Sequence, residues 1–228
     1  MTTTTTINDP DFSINITLNS GTEHNISFKQ VKLSNIIDQG KKSDDMKDTY
    51  RRLADLSNDF KMLMTAFGPF FGRILFCLPV SWKANMYIKQ LSKDIERNLH
   101  YAEWIMIDQN DRTLGILNLK NIDRNKLEMY DDDDLKLYNI GLMLHTDFQR
   151  KGFATELSNQ LFNQLPHLDI DGLIIVTRQD NAGANKLASK LNFVFVKKMD
   201  VKVDNMIPCF SHNYLPSNIY IKKNEYNL

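Results

Sequence analysis

The stretch that decides the fold reads L-M-L-H-T-D-F-Q-R-K-G-F-A-T and runs from Leu142 to Thr155. Its apolar start predicts the end of a strand, and the apolar spacing between Ala154 and Leu165 predicts a helix after the polar turn. The first turn of a helix has N–H groups without backbone acceptors, at the positive end of the helix dipole, and binds phosphates. Gly152 allows close approach to the backbone, and Arg150 and Lys151 add positive charge. We expect a phosphate-binding strand-loop-helix unit, although the spacing is not that of a nucleotide P-loop.

The rest of the chain alternates between the two periods that predict strands and helices. Strands are expected at residues 26–31, 103–107, 114–119, 135–144, 172–177, 193–196 and 218–221. Helices are expected at residues 46–67, 84–99, 154–165 and 182–191. The polar turn between the second and third strands is typical of a hairpin. The order predicts an α/β (α+β) fold, with helices on the faces of a mixed sheet. Residues 23–228 are expected to form a single domain after a flexible polar tail at residues 1–22.

Charge and cysteine content narrow the set of partners. The 228 residues include 28 basic and 28 acidic side chains, so the net charge is zero. A nucleic-acid partner is not expected, because the chain lacks a long-range basic field. Cys77 and Cys209 have no metal-ligand spacing, which predicts no metal site and a reducing, cytoplasmic location. The threonine-rich N-terminus has no signal-peptide pattern.

The most apolar segment spans residues 62–80 and admits two interpretations. Arg73 and the prolines at positions 69 and 79 argue against a membrane span of ~20 residues. A buried turn between two helices is one interpretation. The other is an apolar loop on the substrate side of the protein, or one that touches a membrane.

Several motifs together resemble one known family. Gln149-Arg150-Lys151-Gly152-Phe153-Ala154 matches Q/R-x-x-G-x-G/A, and resembles the acetyl-CoA motif of the GNAT N-acetyltransferase superfamily. Gly152–Glu156 is similar to the G-[YF]-A-T-E segment of the branch with the ribosomal-protein N-terminal acetyltransferases. The similarity covers about residues 103–199 and implies a mostly antiparallel central sheet of about seven strands. Three further segments resemble that branch in the same order: Leu114–Leu117 with Ile122 and Asp123, Ile140–Leu144, and Asn181 with Leu191–Phe193.

The resemblance implies that acetyl-CoA binds as a co-substrate, without a metal. Backbone groups of Leu142, Met143 and Leu144 would bind the pantetheine arm as if it were an added strand. Backbone N–H groups from Arg150 to Thr155 would hold the diphosphate. The Asn181 side chain would contact the pantetheine or thiol end, although asparagine also suits the N-cap of the next helix. The implied cofactor-binding residues are Leu142, Met143, Leu144, Gln149, Arg150, Lys151, Gly152, Phe153, Ala154, Thr155 and Asn181.

Other positions depart from the family pattern. By motif spacing, Ala188 stands where many members have a tyrosine that acts as general acid. Val176 stands where some N-terminal acetyltransferases have a glutamate, and Ala184 where the branch has a serine. Asn139 replaces a glutamate and Asn192 a glycine, but an asparagine still accepts a left-handed turn. These departures leave the proton transfer without an assigned residue.

Three other residues are candidate catalytic groups. His145 directly follows the cofactor strand, and histidine side chains titrate near neutral pH, although such a residue also serves structural roles. Glu103 and Tyr138 lie on the neighbouring predicted strands. A backbone N–H near Leu144 would stabilise the oxyanion.

These observations favour an acetyl-CoA-dependent N-acetyltransferase. It would transfer an acetyl group directly to a primary amine, either a protein N-terminus or a small molecule, in a ternary complex, as a monomer or homodimer. The alternative is a catalytically silent acyl-CoA-binding sensor or interaction module of the same fold. The phenylalanines at positions 67, 70, 71 and 76 also leave open an acyl chain longer than acetyl.

Overall fold

The structure is a computed structural model that describes residues 11–18, 20–31, 44–59, 100–122, 127, 135–162, 170–202 and 214–223. The strands are β1 (Asp11–Thr17), β2 (Glu23–Gln30), β3 (His100–Asp108), β4 (Thr113–Asn121), β5 (Leu137–Leu144), β6 (Gly172–Arg178), β7 (Val194–Lys202) and β8 (Tyr214–Lys223). The helices are α1 (Asp44–Ser57), α2 (Phe153–Phe162) and α3 (Ala182–Lys190), and one 3-10 turn, η1, spans Thr146–Phe148. Within these residues the strands form one sheet in the order β1-β2-β3-β4-β5-β6-β8-β7.

The sheet is mixed and mostly antiparallel, which confirms the predicted fold class. Every neighbouring pair is antiparallel except β5 and β6, which run parallel. A parallel pair needs a crossover connection, and here α2 lies between the two strands in the chain. The predicted hairpin is β3–β4, and Asn192 has the left-handed conformation foreseen for it, with φ of 61°.

The prediction of a flexible tail over residues 1–22 is wrong for β1. Asp11–Thr17 pairs with β2 along its whole length, and the sheet formed by the described residues has eight strands instead of about seven. Ile14 and Ile16 alternate with polar residues, so one face of the strand packs into the main core. Residues 1–10, the apolar segment at 62–80 and the helix predicted at 84–99 lie outside the described residues.

The two faces of the sheet are covered differently. On the helical face, α2 and α3 pack over a core that includes Ala102, Trp104 and Met106 of β3. Because side chains alternate along a strand, Glu103 lies on the opposite face. There Ile174 of β6 belongs to a smaller apolar cluster with residues of β5 and β8.

Helix α1 is attached to the β3–β4 turn by a buried arginine. Arg52 is 4% exposed; its Nε donates to Asp48 Oδ2 over 2.8 Å, and its Nη1 donates to the Asp111 carbonyl over 3.2 Å. Burial tends to raise the pKa of Asp48, but hydrogen bonds from Arg52 and Arg51 outweigh it and lower the pKa to about 2. These ion pairs place α1 at the end of the sheet where the β3–β4 turn and the last residue of β5 lie side by side.

Candidate cofactor and active site

The central feature of the site is a gap between β5 and β6. These parallel strands pair only at Leu137–Asn139 with Gly172–Ile174, where both strands begin. Beyond that point β5 stays paired with β4, and β6 stays paired with β8. In the described residues no strand lies between Ile140–Leu144 and Ile175–Arg178. The sheet therefore opens towards the C-terminal ends of both strands.

The backbone of β5 presents alternate residues to this gap. The His145 N–H donates to the Leu114 carbonyl over 2.8 Å, which fixes the alternation of the antiparallel β4–β5 ladder. By that alternation, the N–H and C=O groups of Leu142 and Leu144 point away from β4, into the gap. Those of Met143 point to β4, and an added Cβ on Gly115 would overlap the Met143 carbonyl oxygen. The prediction that Met143 binds a ligand through its backbone does not fit this pairing.

The loop after β5 is a tight turn with two residues in the left-handed region. Arg150 has φ of 60° and Gly152 has φ of 93°. The Gln149 side chain folds back, and its Nε2 donates to the Leu144 carbonyl over 2.8 Å. Gln149 therefore holds the turn against the end of β5, a structural contact that the sequence pattern does not disclose.

The first turn of α2 supplies the expected open N–H groups. The first intrahelical hydrogen bond runs from Glu156 N–H to the Gly152 carbonyl, so the N–H groups before Glu156 have no intrahelical partner. Arg150 and Lys151 are exposed beside this turn. The Phe153 side chain is buried in the core at 2% exposure, so Phe153 offers only its backbone. These groups suit a diphosphate.

A second turn, after β6, faces the first across the gap. Asn181 caps α3, and its Oδ1 accepts from the Ala184 N–H over 3.1 Å. This confirms the N-cap role, while a contact with a pantetheine arm stays a prediction. The Asn185 side chain donates to the Arg178 carbonyl over 3.0 Å and to the Asn181 carbonyl over 2.8 Å.

Glu103 is the most buried of the three candidate catalytic residues. It is 2% exposed on the opposite face, and its Oε1 is buried without a hydrogen-bond partner. Burial raises the pKa of its carboxyl to about 7, although the charge of Lys120 acts against this rise. Glu103 lies opposite Asn118 of β4, which lies opposite Gly141 of β5.

Asn118 lies between Glu103 and the gap in the register of the sheet. An added Cβ on Gly141 would overlap Oδ1 of Asn118, so the amide lies directly over the glycine. Gly141 belongs to the half of β5 that has no partner in β6. A polar row from Glu103 across Asn118 therefore ends at the open edge of the sheet.

His145 has a structural role in the loop. Its Nδ1 accepts from the Asp147 N–H over 3.3 Å, which caps η1. Its Nε2 lies 3.7 Å from Oδ2 of Asp59, just beyond the end of α1. The Asp59 carboxylate also accepts from the Thr146 N–H and, over 2.6 Å, from the Thr146 hydroxyl. Both ring nitrogens of His145 are thus directed at groups of the protein.

Tyr138 lies apart from Glu103 and His145. It packs against the core of the helical face, at the end of β5 that is paired with β6. The structure therefore does not bring the three candidates together. Tyr138 lies on the helical face, Glu103 on the opposite face and His145 just past the end of β5.

Comparison with known families shows which family this chain belongs to. A model described as an acetyltransferase (GNAT) domain matches residues 51–194, more than half of the chain. The chain belongs to the GNAT acetyltransferase family. No curated protein matches it significantly.

Solved structures of GNAT proteins share the fold at low identity. A RimJ protein of Mycobacterium smegmatis, in complex with CoA-disulfide, is 10% identical with a TM-score of 0.59, over 96% of this chain and 90% of the other. An acetyl transferase of Salmonella typhimurium that modifies the N-terminal serine of ribosomal protein L7/L12 is 15% identical, with a TM-score of 0.56, over 88% and 95%. A spermidine N-acetyltransferase of Vibrio cholerae, in complex with CoA and spermine, is 14% identical, with a TM-score of 0.53, over 87% and 95%.

Two of the residues that depart from the GNAT pattern are apolar and packed in the structure. Ala188 of α3 is fully buried in the main core, and Val176 packs against the apolar cluster of the opposite face. Neither can donate or accept a proton. Across the described ranges, no group of three or more His, Cys, Asp or Glu side chains is placed to hold a metal ion. None of the described helices has the length and apolar character of a membrane span.

Sequence reasoning missed two polar residues of the site. Asn118 and Asn185 each stand in an ordinary amphipathic pattern, where an asparagine attracts no special interpretation. Only the register of the sheet places Asn118 over Gly141. Only the packing of α3 on β8 places Asn185 under the turn after β6.

Proposed function

We propose that this protein is an acetyl-CoA-dependent N-acetyltransferase that transfers an acetyl group directly to a primary amine. The observation that carries the proposal is the gap between β5 and β6. The halves of these two strands that do not pair with each other face one another, and β5 runs into a turn with Gly152 at φ of 93°. An extended ligand with a diphosphate at one end complements both features.

Residues of both turns bind the co-substrate. Leu142 and Leu144 offer backbone groups to the pantetheine arm. The N–H groups from Arg150 to Thr155 hold the diphosphate, with the exposed cations of Arg150 and Lys151 beside it. Asn181 lies at the turn on the other wall of the gap. CoA or acetyl-CoA occupies structural neighbours of the same fold, which supports this assignment.

Acetyl-CoA supplies the acetyl group as a thioester, and residues of this chain orient the reaction and move the proton. The Leu142 N–H also points into the gap, beside Gly141 and farther from the diphosphate turn than Leu144, and stabilises negative charge on the thioester oxygen. The amine nitrogen bonds to the carbonyl carbon, the carbon–sulfur bond breaks, and the sulfur keeps the electron pair and takes the proton that the attacking nitrogen loses. Holding both reactants side by side supplies much of the acceleration.

Glu103 is the base in this proposal. Strands are ~4.8 Å apart, so β3 lies ~10 Å from β5 and the carboxylate reaches the amine through water. The ammonium form of the amine gives one proton to Glu103 and then attacks as the neutral amine. Asn118, between the two, accepts a hydrogen bond from the amine or from that water. His145 and Tyr138 have no part in this proposal, because protein contacts account for both.

The substrate is a primary amine on a protein N-terminus or a small molecule. Neighbours of the same fold include enzymes for both kinds of amine. The ribosomal-protein enzymes among them support a cytoplasmic place of action.

Thermal unfolding with and without acetyl-CoA tests the first part of the proposal. A ligand at ~100 times its Kd stabilises the native state by about 2.7 kcal/mol. For a domain of this size that is a rise in Tm on the order of 5–10 °C. No rise at millimolar acetyl-CoA would contradict the proposed site.

A second candidate function is a catalytically silent acyl-CoA sensor. It is favoured by two apolar side chains: Ala188 stands where the family pattern has a tyrosine in many members, and Val176 where it has a glutamate in some. CoA release measured with a panel of amines separates the two functions. Sustained turnover that depends on the amine excludes the sensor, whereas tight binding without turnover on any amine supports it. The same assay with acetyl-, butyryl- and longer acyl-CoA tests whether a longer chain is preferred.

A further inference from the structure

Asn185 is the centre of a hydrogen-bond network that joins α3, β8 and the turn after β6. Its Nδ2 donates to the carbonyl oxygens of Arg178, Gln179 and Asn181 over 3.0, 3.3 and 2.8 Å. Its Oδ1 accepts from Asn218 Nδ2 over 2.8 Å and from the Tyr220 hydroxyl over 2.9 Å. The amide of this one side chain therefore has five contacts, three through its nitrogen and two through its oxygen.

The three carbonyl oxygens of the turn determine which way this amide faces. An Asn side chain has one oxygen that accepts and one nitrogen that donates. Because a backbone carbonyl only accepts, Nδ2 points to the turn and Oδ1 points to β8, where it accepts from Asn218 Nδ2 and the Tyr220 hydroxyl. Tyr220 and Asn218 are 7% and 9% exposed, so water competes little for these bonds.

The turn held by Asn185 is one wall of the gap. Arg178 is the last residue of the half of β6 that has no partner in β5, and Asn181 is the N-cap of α3. Tyr220 and Asn218 lie opposite Ile175 and Thr177 of that same half. This half of β6 is hydrogen-bonded to β8 and not to β5. The network therefore supports β6 and its turn from the β8 side.

We propose that Asn185, held to β8 by Tyr220 and Asn218, is a positioning residue for the acetyl-CoA site. It fixes the wall formed by β6 and Asn181 at the distance that the pantetheine arm needs. This inference rests on the proposed function. It assigns Tyr220 a role through its hydroxyl, in addition to the packing of its ring, which belongs to the core and has an edge contact with the exposed ring of Phe195.

The test is the Kd of acetyl-CoA for four proteins: wild type, Asn185→Ala, Tyr220→Phe and the double variant. One neutral hydrogen bond corresponds to about fivefold in an equilibrium constant, so we expect Tyr220→Phe to weaken binding about fivefold and Asn185→Ala about tenfold or more. In the double variant Tyr220→Phe should add nothing, because the hydroxyl then has no amide to hold. Tyr214→Phe is the matched control on the same strand, since Tyr214 is 57% exposed, and should leave the Kd unchanged.

Three outcomes would overturn the inference or the function beneath it. A lower Tm with an unchanged Kd in folded Asn185→Ala would show that the network only stabilises the fold. Fully additive effects in the double variant would show that Tyr220 acts independently of Asn185. A wild type that does not bind acetyl-CoA would overturn the proposed function and this inference together, whereas the first two outcomes leave the proposed function standing.

Discussion

Glu103 has a carboxyl group in a place that disfavours its charge. The side chain is 2% exposed, and one of its oxygens has no hydrogen-bond partner. An apolar side chain would fill the same space at lower cost, because a buried charge without hydrogen bonds is strongly unfavourable. Groups in such environments concentrate at functional sites. A base near the open edge of β5 explains why a glutamate occupies this position.

Glu103→Gln should lower activity and raise stability. The Gln side chain has almost the same shape but cannot take a proton, so we expect kcat/KM to fall by ~10²–10⁴. The wild-type pKa of about 7 lies above the ordinary value of 4.5, so the native state holds more protons than the unfolded state between these values. The free energy of unfolding of the wild type therefore falls as pH rises through this window. At pH 8 the Gln variant should be more stable on the order of 1–3 kcal/mol, and at pH 4.5 the two should be equal.

Denaturant unfolding at several pH values and amine acetylation at pH 8 provide these two measurements. Glu23→Gln is a suitable control, because Glu23 is exposed on β2 and should change neither quantity. Loss of stability at pH 8 in the Gln variant would show that the carboxylate is stabilised by its surroundings. Full activity of that variant would remove Glu103 from the mechanism.

Gly152→Trp should remove cofactor binding from a folded protein. A side chain at φ of 93° costs about 1–2 kcal/mol in backbone strain, and the indole would occupy the space next to the open N–H groups of α2. We expect the Kd of acetyl-CoA to rise at least about a hundredfold, measured by calorimetry, because the diphosphate loses its place. Gly21→Trp carries similar strain at φ of 77° in open space and serves as the matched variant. Equal losses of affinity in both would point to strain alone.

Residue identity predicted the loop better than it predicted the chemistry. Gly152 and Asn192 both have the positive φ that their residue types favour, so the turns were readable from the sequence. The direction of the Met143 N–H and C=O groups is not readable from the sequence, because it depends on which residue pairs of the β4–β5 ladder are hydrogen-bonded. The burial of Glu103 depends on what packs on its face of the sheet, which a single strand pattern does not reveal.

The elements around the site depend on side-chain links that cross between them. Asp59, just past α1, accepts two hydrogen bonds from Thr146 of η1 and faces His145. This carboxylate is the direct link between the end of α1 and the loop that leads to α2. The strand β1 differs from the predicted polar tail, because Ile14 and Ile16 alternate with polar residues just after a threonine-rich start.

Asp59→Ala should loosen the cofactor loop. The change leaves the Thr146 N–H and hydroxyl without their acceptor, and we expect a loss of about 1–3 kcal/mol in the free energy of unfolding. The Kd of acetyl-CoA should rise severalfold, because the loop is then less well ordered before binding. Asp55→Ala removes an exposed carboxylate one turn earlier on α1 and should leave both quantities unchanged. An unaltered Kd in a destabilised Asp59→Ala protein would limit Asp59 to a role in folding.

Over the whole molecule, the sheet consists of two parts joined by few residues. Strands β1 to β5 form one part and β6 to β8 the other, and three residue pairs between β5 and β6 connect their backbones. The core of the helical face spans both parts, through residues such as Leu144 and Leu173. Among the described residues, the sheet therefore has an open edge in its middle, where β5 and β6 stop pairing.

A pantetheine arm in this gap should protect alternate amides of β5 from hydrogen exchange. The N–H groups of Leu142 and Leu144 point into the gap, whereas Met143 pairs with Ile116 of β4. Without ligand, we expect Met143 to exchange slowly and Leu142 and Leu144 quickly. With acetyl-CoA at ~100 times its Kd, the two leucine amides should slow by about a hundredfold or more, as measured by NMR. Adenosine 3′,5′-bisphosphate lacks the arm and should leave Leu142 unprotected. Protection of all three amides alike, or of Leu142 by that shorter ligand, would show a general tightening of the protein in place of an added strand.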